Sequence, residues 1–420
     1  MTTWQYAEKF YEMRVMKNKI ELLAPAGNME KLKTALYFGA DAVYMGGHNF
    51  SLRSFSQNFS EDEIFEAVKY THTAGKKLYI TVNIFARDKD FDQMKEYLSL
   101  LNDAGVDAVI VSDLGVMDMV LTHFPKLDVH ISTQANTTNA RTIDFYAKQG
   151  AKRVILAREL TLDEIKEIKD NLKTNIEIEA FVHGAMCISY SGRCLLSNYF
   201  TGRDSNRGEC VQSCRWEYQI TEKSRHNQPL DISEDEKGTY ILNSKDLNML
   251  EYLDKLASAG ISSFKIEGRM KTAYYVATVT NAYKRAMDIL NSGKKYNLPQ
   301  YIIEEPSKTS HREFSTGFYF NQPQQCYNSS RTVQNYDFVA IVKGCTDGKI
   351  LVEQRNKFCV GDELEILSPS DMFLKTIKIE KMRNEYGEEI KAADKVQKDI
   401  YISTDLKLNT GDILRKKSNN

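Results

Sequence analysis

The chain has 420 residues, enough for one large domain and a smaller one. Apolar residues make up 42% and charged residues 27%, the balance of an ordinary soluble enzyme. A formal net charge of -1 excludes a global electrostatic argument for nucleic acid, so an RNA partner needs a local basic patch. The first residues, Met1-Thr-Thr-Trp-Gln-Tyr, lack the charged-then-apolar layout of a signal peptide. No uncharged apolar run reaches the length of a membrane-spanning helix. The expectation is a cytoplasmic protein with no membrane partner.

From Ile20 onward, short apolar runs alternate with amphipathic stretches. The predicted strands are Glu21–Ala24, Ala42–Met45, Lys77–Val82, Ala108–Ser112, Val129–Ser132, Arg153–Ala157, Ile176–Val182 and Ser263–Glu267. Their apolar character is continuous rather than alternating, which implies burial on both faces, as in a parallel sheet. Helical patterns lie between them, among them Asn28–Phe38, Glu61–Ala74, Phe91–Ala104, Thr142–Gln149 and Leu162–Asn171. Ser60 and Thr161 stand three residues before Glu63 and Glu164, in capping-box spacing. Gly39, Gly75, Gly105 and Gly260 sit where left-handed C-caps are expected. These alternations predict an α/β fold, a TIM-like (β/α)8 barrel over 1–300, with a doubly wound open sheet as the competing arrangement.

A Cys-rich segment at about 185–238, with a hairpin around Tyr218–Thr221 and Thr239–Leu242, reads as an insertion after the seventh strand. Loops at that end of a barrel build the active site. Residues 301–335 read as a linker. Past Tyr336 short alternating strands predict a small all-β barrel over 336–420: Phe338–Val342, Lys349–Glu353, Glu363–Leu367, Thr376–Met382 and Asp399–Ser403. This domain reads as a binding or docking module, and the basic end Arg415-Lys416-Lys417 as a frayed tail.

Four of the 7 cysteines, Cys187, Cys194, Cys210 and Cys214, follow the spacing C-x6-C-x15-C-x3-C. An odd total in a reducing compartment does not fit a disulfide framework. Soft ligands on one polar loop suit thiolate coordination, by zinc or by an iron–sulfur cluster. Only Cys210/Cys214 has the close pairing usual for structural zinc, which tilts the reading towards a cluster. Cys326, Cys345 and Cys359 are scattered and read as unremarkable thiols. Arg193, Arg203, Arg207 and Arg215 punctuate the same loop, where they either offset thiolate charge or clamp a carboxylate or phosphate.

Polar residues at the predicted strand ends form a second set of candidates: Asn83, Asp113, Gln134, Asn136, Arg158, Glu159, Glu179, His183, Glu267 and Arg269. Glu179, His183, Asn83 and Glu267 are the catalytic candidates. Arg158, Gln134, Asn136 and Arg269, with the loop arginines, are the substrate-binding ones. The motifs of serine hydrolases, zincins, P-loop NTPases and dinucleotide enzymes are absent.

The run from Glu179 through His183, Cys187, Gly192 and Cys194 to Ser197 matches E-x-F-x2-G-[SA]-[LIVM]-C-x4-G-x-C-x-[LIVM]-S throughout. With it go Glu21-Leu-Leu-Ala-Pro-Ala-Gly27, Ser132-Thr-Gln-Ala-Asn136, Lys265-Ile-Glu-Gly-Arg-Met270 and Arg312-Glu-Phe-Ser-Thr-Gly-Phe318. On these segments the chain resembles the collagenase-like peptidase family, peptidase family U32. The resemblance implies either proteolysis, as the family name says, or oxygen-independent hydroxylation, as in better-understood members. The length, the Cys210/Cys214 pair and the β-rich C-terminal domain look most like the branch that makes 5-hydroxyuridine at the tRNA wobble position. That resemblance implies a four-iron [4Fe-4S] cluster on Cys187, Cys194, Cys210 and Cys214, and prephenate, a small dicarboxylate, as co-substrate. It also implies tRNA as partner, with an electron-transfer protein or partner subunit as a further one. The competing readings are a peptidase using Cys187 or Cys194 with His183, and a noncatalytic RNA-binding or assembly protein stapled by zinc.

Overall fold

The computed structural model describes residues 20–52, 58–187, 189–216, 244–321, 332–346 and 348–418, with the backbone of 234–235 and 238–239. The predicted hairpin at Tyr218–Thr221 and Thr239–Leu242 lies largely outside these residues.

All eight predicted barrel strands are present: β1 (Glu21–Pro25), β2 (Ala42–Met45), β3 (Lys77–Val82), β4 (Ala108–Val111), β5 (Asp128–Ile131), β6 (Arg153–Ile155), β7 (Glu177–Ala185) and β8 (Ser263–Ile266). Each runs parallel to the next, and β8 pairs in parallel with both β7 and β1. The sheet is therefore a closed barrel rather than an open doubly wound one. Closure explains the continuous apolar runs, since a strand between the helical layer and the barrel interior has no solvent face. Strands β2 and β4 are buried along their whole length.

The helices stand where amphipathic periodicity places them. Phe91–Ala104 and Leu162–Asn171 have the predicted bounds. Both capping boxes form: Ser60 Oγ accepts from the Glu63 N–H, and Thr161 Oγ1 accepts from that of Glu164. Each such cap contributes about 1 kcal/mol. Asp113 does the same for helix Leu114–His123, accepting from the N–H groups of Gly115 and Val116, so it is a cap and not a pocket residue.

Strand β7 is 9 residues long because its last third has a second neighbour. There the chain returning from the Cys-rich insertion pairs antiparallel through Asp246–Asn248, and Phe314–Ser315 adds to that strand. Between the two cores, residues 300–315 are tied down. Arg312 donates to Asp246 at 2.7 and 3.0 Å, with both side chains buried.

The C-terminal domain is an eight-stranded antiparallel sheet that curls into a half-barrel around Val339, Val352, Ile366 and Ile402. The predicted strand Thr376–Met382 is broken into Thr376–Lys378 and Met382–Arg383. The expected frayed tail is a correction. Ile413–Lys417 is an interior strand, paired with Tyr336–Thr346 on one side and Glu363–Leu367 on the other. Its Arg415 is fully buried, donating to Glu305 at 2.6 and 2.9 Å and to Glu365 at 2.8 Å. The two domains meet across Phe38, Tyr274, Ala277, Leu367 and Ile413, where Tyr274 stacks on Phe338 at 5.6 Å.

Candidate functional site

Two cavities open at the two ends of the barrel. The larger, about 960 Å3, lies at the N-terminal mouth among strand beginnings such as Lys77, Asp128 and Arg153. The smaller, about 270 Å3, lies at the C-terminal mouth, where loops after the strands meet the Cys-rich insertion. Barrel chemistry belongs to the second end.

Its floor is set by a buried charge network. Glu179 on β7 is inaccessible to solvent and accepts from Lys265 Nζ at 2.8 Å and from Arg153 Nη1 at 2.9 Å. Burial pushes its carboxyl up, but the two cations outweigh that and hold it below the ordinary range. Lys265, on β8, points from this floor into the cavity and lies 4.5 Å from the centre of the Tyr44 ring. Arg269 enters from the loop after β8 and donates to Thr81 Oγ1 at 2.8 Å. It passes so close to Gly46 that a β-carbon there would stand 2.4 Å from its Nη1, so a larger residue would have to push the guanidinium aside. Arg158, after β6, donates to the Ala185 carbonyl at 3.0 Å and lies over the Phe181 ring. Arg215 and Lys271 complete a wall with five cations and one carboxylate, Glu267. The local charge is thus strongly positive although the whole chain is nearly neutral.

The insertion is fastened over this mouth at three points. The Ser191 N–H and hydroxyl donate to Glu159 at 2.6 and 3.0 Å. Arg207 clamps Asp90 at 2.8 and 3.1 Å and donates to the Phe85 carbonyl. Gly192, at φ +72°, packs against the loop after β5; a β-carbon would stand 2.0 Å from the Gln134 carbonyl oxygen. The glycine between the first two cysteines of the signature is therefore a packing requirement.

Cys187, Cys210 and Cys214 line the cavity wall, and Cys194 lies on the same insertion outside that lining. The Cys214 thiol is pushed up to about 11 by burial first, then by Cys187, with Arg215 opposing and Cys210 and Cys194 adding. The other three cysteines are thus all within electrostatic reach of Cys214. Burial also pushes up the Cys194 thiol, but the hydroxyls of Ser205 and Ser189 and the N–H groups of Leu196 and Ser197 outweigh it, leaving a depressed pKa. Among the described residues, no group of three or more Cys, His, Asp or Glu is drawn into a single-ion ligand shell. A zinc ion would need sulfurs about 3.8 Å apart, from a Zn–S bond of about 2.3 Å in a tetrahedron. The four thiols are soft donors gathered on one insertion beside the cavity, a donor set whose chemistry suits thiolate coordination of a metal group.

Of the remaining predicted residues, Asn83 and Gln134 line the cavity. Asn83 Nδ2 donates to Ser132 Oγ at 3.1 Å, and its buried Oδ1 has no partner among the described residues. Glu267 lies at the rim within 3.3 Å of the Tyr44 hydroxyl, which donates to it. Asn136 takes the left-handed conformation at φ 52° and is not in the wall. Arg193 and Arg203 are exposed on the insertion, outside the cavity.

His183 is displaced from its expected role. It is buried against Tyr275, Tyr283 and Phe314, with Nδ1 3.3 Å from the Tyr283 hydroxyl. Burial lowers its pKa to about 3. Strict alternation along β7 would turn residues 179, 181 and 183 to the same face. A register shift opposite Lys265 and Ile266 breaks the alternation and sends the His183 ring to the helical side. No histidine lines the cavity among the described residues, so a Cys–His nucleophile pair is not assembled there. Sequence reasoning missed Lys265 and Lys271. The signal for Lys265 was a lone lysine inside an apolar strand, since a buried ammonium needs a partner.

Residues 27–329 match the peptidase family U32, and residues 334–415 match the peptidase family U32 C-terminal domain. A tRNA hydroxylation protein P1 of Bacillus subtilis is 40% identical over 96% of this chain and 96% of its own length. A tRNA hydroxylation protein P of Escherichia coli is 35% identical over 94% of this chain and 97% of its own. An uncharacterized protease of Methanocaldococcus jannaschii is 42% identical over 77% of both chains. Signature, barrel and C-terminal half-barrel together place this chain in peptidase family U32.

Proposed function

We propose that the chain hydroxylates RNA, converting the wobble uridine of tRNA to 5-hydroxyuridine without molecular oxygen. The observation that carries this reading is the cavity at the C-terminal mouth, where three cysteines share one wall with five cations. Relatives that span nearly the whole chain and are named tRNA hydroxylation proteins support it. A peptidase would need an activated nucleophile, and the buried His183 does not provide its base.

Cys187, Cys194, Cys210 and Cys214 would hold an iron–sulfur cluster of the four-iron type. When bound, it would supply one-electron chemistry beside the substrate cavity. The chain's own residues then bind and orient. Lys265, Arg158 and Arg269 neutralise the carboxylates of a prephenate-type dicarboxylate, and Asn83 Oδ1 offers an acceptor to a hydroxyl or base N–H. Glu179 fixes the Lys265 ammonium so that little reorganisation is needed on binding. Tyr44 and Phe181 exclude water beneath the ligand.

The test is anaerobic purification followed by an absorption spectrum, iron and sulfide analysis, and tRNA nucleoside analysis in a deletion strain. A broad band near ~400 nm with about four iron per chain, lost on Cys187→Ala, is the expected result. In the deletion strain, 5-hydroxyuridine should vanish and return with the wild-type chain but not with Arg269→Met. About one zinc per chain and no iron would refute the cluster and favour the zinc-stapled scaffold.

A further inference from the structure

Glu159 follows the sixth strand, where position makes it a pocket candidate, yet it does not line the cavity. Its carboxylate turns to the Cys-rich insertion instead. Oε1 accepts from the Ser191 N–H at 2.6 Å and from the Ser191 hydroxyl at 3.0 Å, with Oε2 3.2 Å from the same hydroxyl. Ser191 is only 4% exposed. The Arg158 N–H and Thr133 Oγ1 each stand 3.4 Å from its Oγ, and Thr133 gives its own proton to the Leu156 carbonyl at 2.9 Å. The single Ser191 hydroxyl proton is thus left for Glu159. Hydrogen bonds to a carboxylate are about twice as strong as neutral ones.

The place of this clamp in the chain is what matters. Ser191 stands four residues after Cys187 and three before Cys194, at the middle of the span between the first two thiols. On the Cys187 side, Arg158 Nη1 donates to the Ala185 carbonyl at 3.0 Å. On the Cys194 side, the Arg193 N–H closes a turn onto the Tyr190 carbonyl at 3.0 Å. The Cys194 carbonyl is itself held by Asn206 Nδ2 at 2.8 Å and Ser205 Oγ at 3.2 Å, from the second half of the insertion. Backbone entropy opposes the ordering of such a loop, and a charged acceptor at its centre offsets that cost. We infer that Glu159 is a positioning residue: acting through Ser191, it fixes where Cys187 and Cys194 stand relative to Arg158 and the cavity. Arg158 and Glu159 are consecutive residues just past β6, so the cation facing the cavity and the carboxylate gripping the cysteine loop belong to one rigid strand end. The inference rests on the metal-binding reading of the cysteines proposed above. It adds to that reading a residue that touches neither metal nor substrate.

The experiment separates placement of the thiols from iron uptake. The full chain, chelated and kept anaerobic, is labelled with iodoacetamide, and each cysteine is followed by mass spectrometry of its peptide. Cys359, half-buried in the C-terminal domain, serves as the internal control for the fold. In Glu159→Ala, the half-buried Cys194 should label on the order of 10- to 100-fold faster, the loss of hydrogen bonds to a charged acceptor, with Cys359 unchanged. Glu159→Gln keeps an oxygen that accepts from the same N–H and hydroxyl, so it should stay near the wild-type rate. Iron and sulfide are then measured on chains purified anaerobically without chelation. Glu159→Ala should lose most of the about four iron per chain and the band near ~400 nm, and Glu159→Gln should keep them. Labelling of Cys194 at the wild-type rate in Glu159→Ala would overturn the inference, as would equal acceleration of Cys194 and Cys359, which marks a general loosening of the fold. Full iron with an unchanged spectrum in Glu159→Ala would overturn it too, because the clamp would then hold the loop without placing the thiols. If the wild-type chain takes up no iron and the labelling pattern holds, the clamp stands and the cluster reading fails.

Discussion

Arg415 offers the sharpest test of how the two domains are held. It reads as part of a basic tail, yet its guanidinium is fully buried and paired with Glu305, also fully buried, and with Glu365. Replacing it by alanine strands two carboxylates. Removing one partner of a buried pair costs about 3–5 kcal/mol, because the other charge is left without compensation. Lys308 moderates that loss, since its Nζ lies 3.3 Å from Glu305 and 2.8 Å from Glu365 and keeps part of the charge balanced. The lower end, about 3 kcal/mol, is therefore expected for Arg415→Ala. With a urea dependence of about 2 kcal/mol per molar, the midpoint of the C-terminal domain should fall by about 1.5 M. Arg415→Met with Glu305→Gln should recover much of the loss, because an apolar or neutral pair needs no charge compensation. A midpoint shift for Arg415→Ala no larger than that of an exposed lysine, below about 0.5 kcal/mol, would refute the buried-pair argument.

Three further outcomes follow from the same geometry. His183 titrates at about 3 when folded and near its ordinary 6.5 when unfolded. The unfolded chain therefore binds more protons between those values, and stability falls as pH falls through that window. Relative to His183→Phe, the wild type should lose about 2 kcal/mol between pH 7 and pH 5 in urea unfolding; equal pH dependence in both would show that the ring is solvated. Glu179→Gln should destabilise the barrel by about 3 kcal/mol by leaving Arg153 and Lys265 without their shared anion, and adding Lys265→Met should return part of it; additive losses in that cycle would show that the two side chains do not interact. Arg207→Ala frees the insertion from Asp90, so limited proteolysis should cut between Leu195 and Trp216 faster than in the wild type, while an unchanged pattern would show that the clamp does not hold the loop.

What was legible in the sequence was local. A capping box needs residues three apart, and both Ser60 and Thr161 form theirs as spaced. Continuous apolar runs gave the eight barrel strands because burial on two faces leaves a one-dimensional trace. The clustering of the four cysteines was legible for the same reason, since all four lie on one insertion. What was not legible depends on partners far away in the chain. Arg415 is buried because Glu305, 110 positions earlier, reaches it; a basic triplet near a chain end carries no sign of that. His183 leaves the cavity because of a register shift against β8, across 80 residues of intervening chain that include the insertion. Lys265 sits between these cases. Its charge inside an apolar strand is a sign of a buried partner that the sequence reading passed over, and nothing in the sequence says that the partner is Glu179 on the neighbouring strand.

The same distinction explains how a chain of net charge -1 carries a cationic cavity. Positive charge here is concentrated by topology: Arg158, Arg215, Lys265, Arg269 and Lys271 come from three separate segments and converge only because the barrel closes. Glu179, Glu267 and Asp246 offset only part of that charge, so the field at the C-terminal mouth stays positive while the chain's total nearly vanishes. A polyanion meets the local field rather than the total, screened beyond about 10 Å at ordinary salt. Binding of RNA at this mouth should therefore weaken steeply with added salt, as expected when several phosphates are neutralised. A flat salt dependence would mean that these cations face only a small ligand inside the cavity, and that the RNA is held elsewhere.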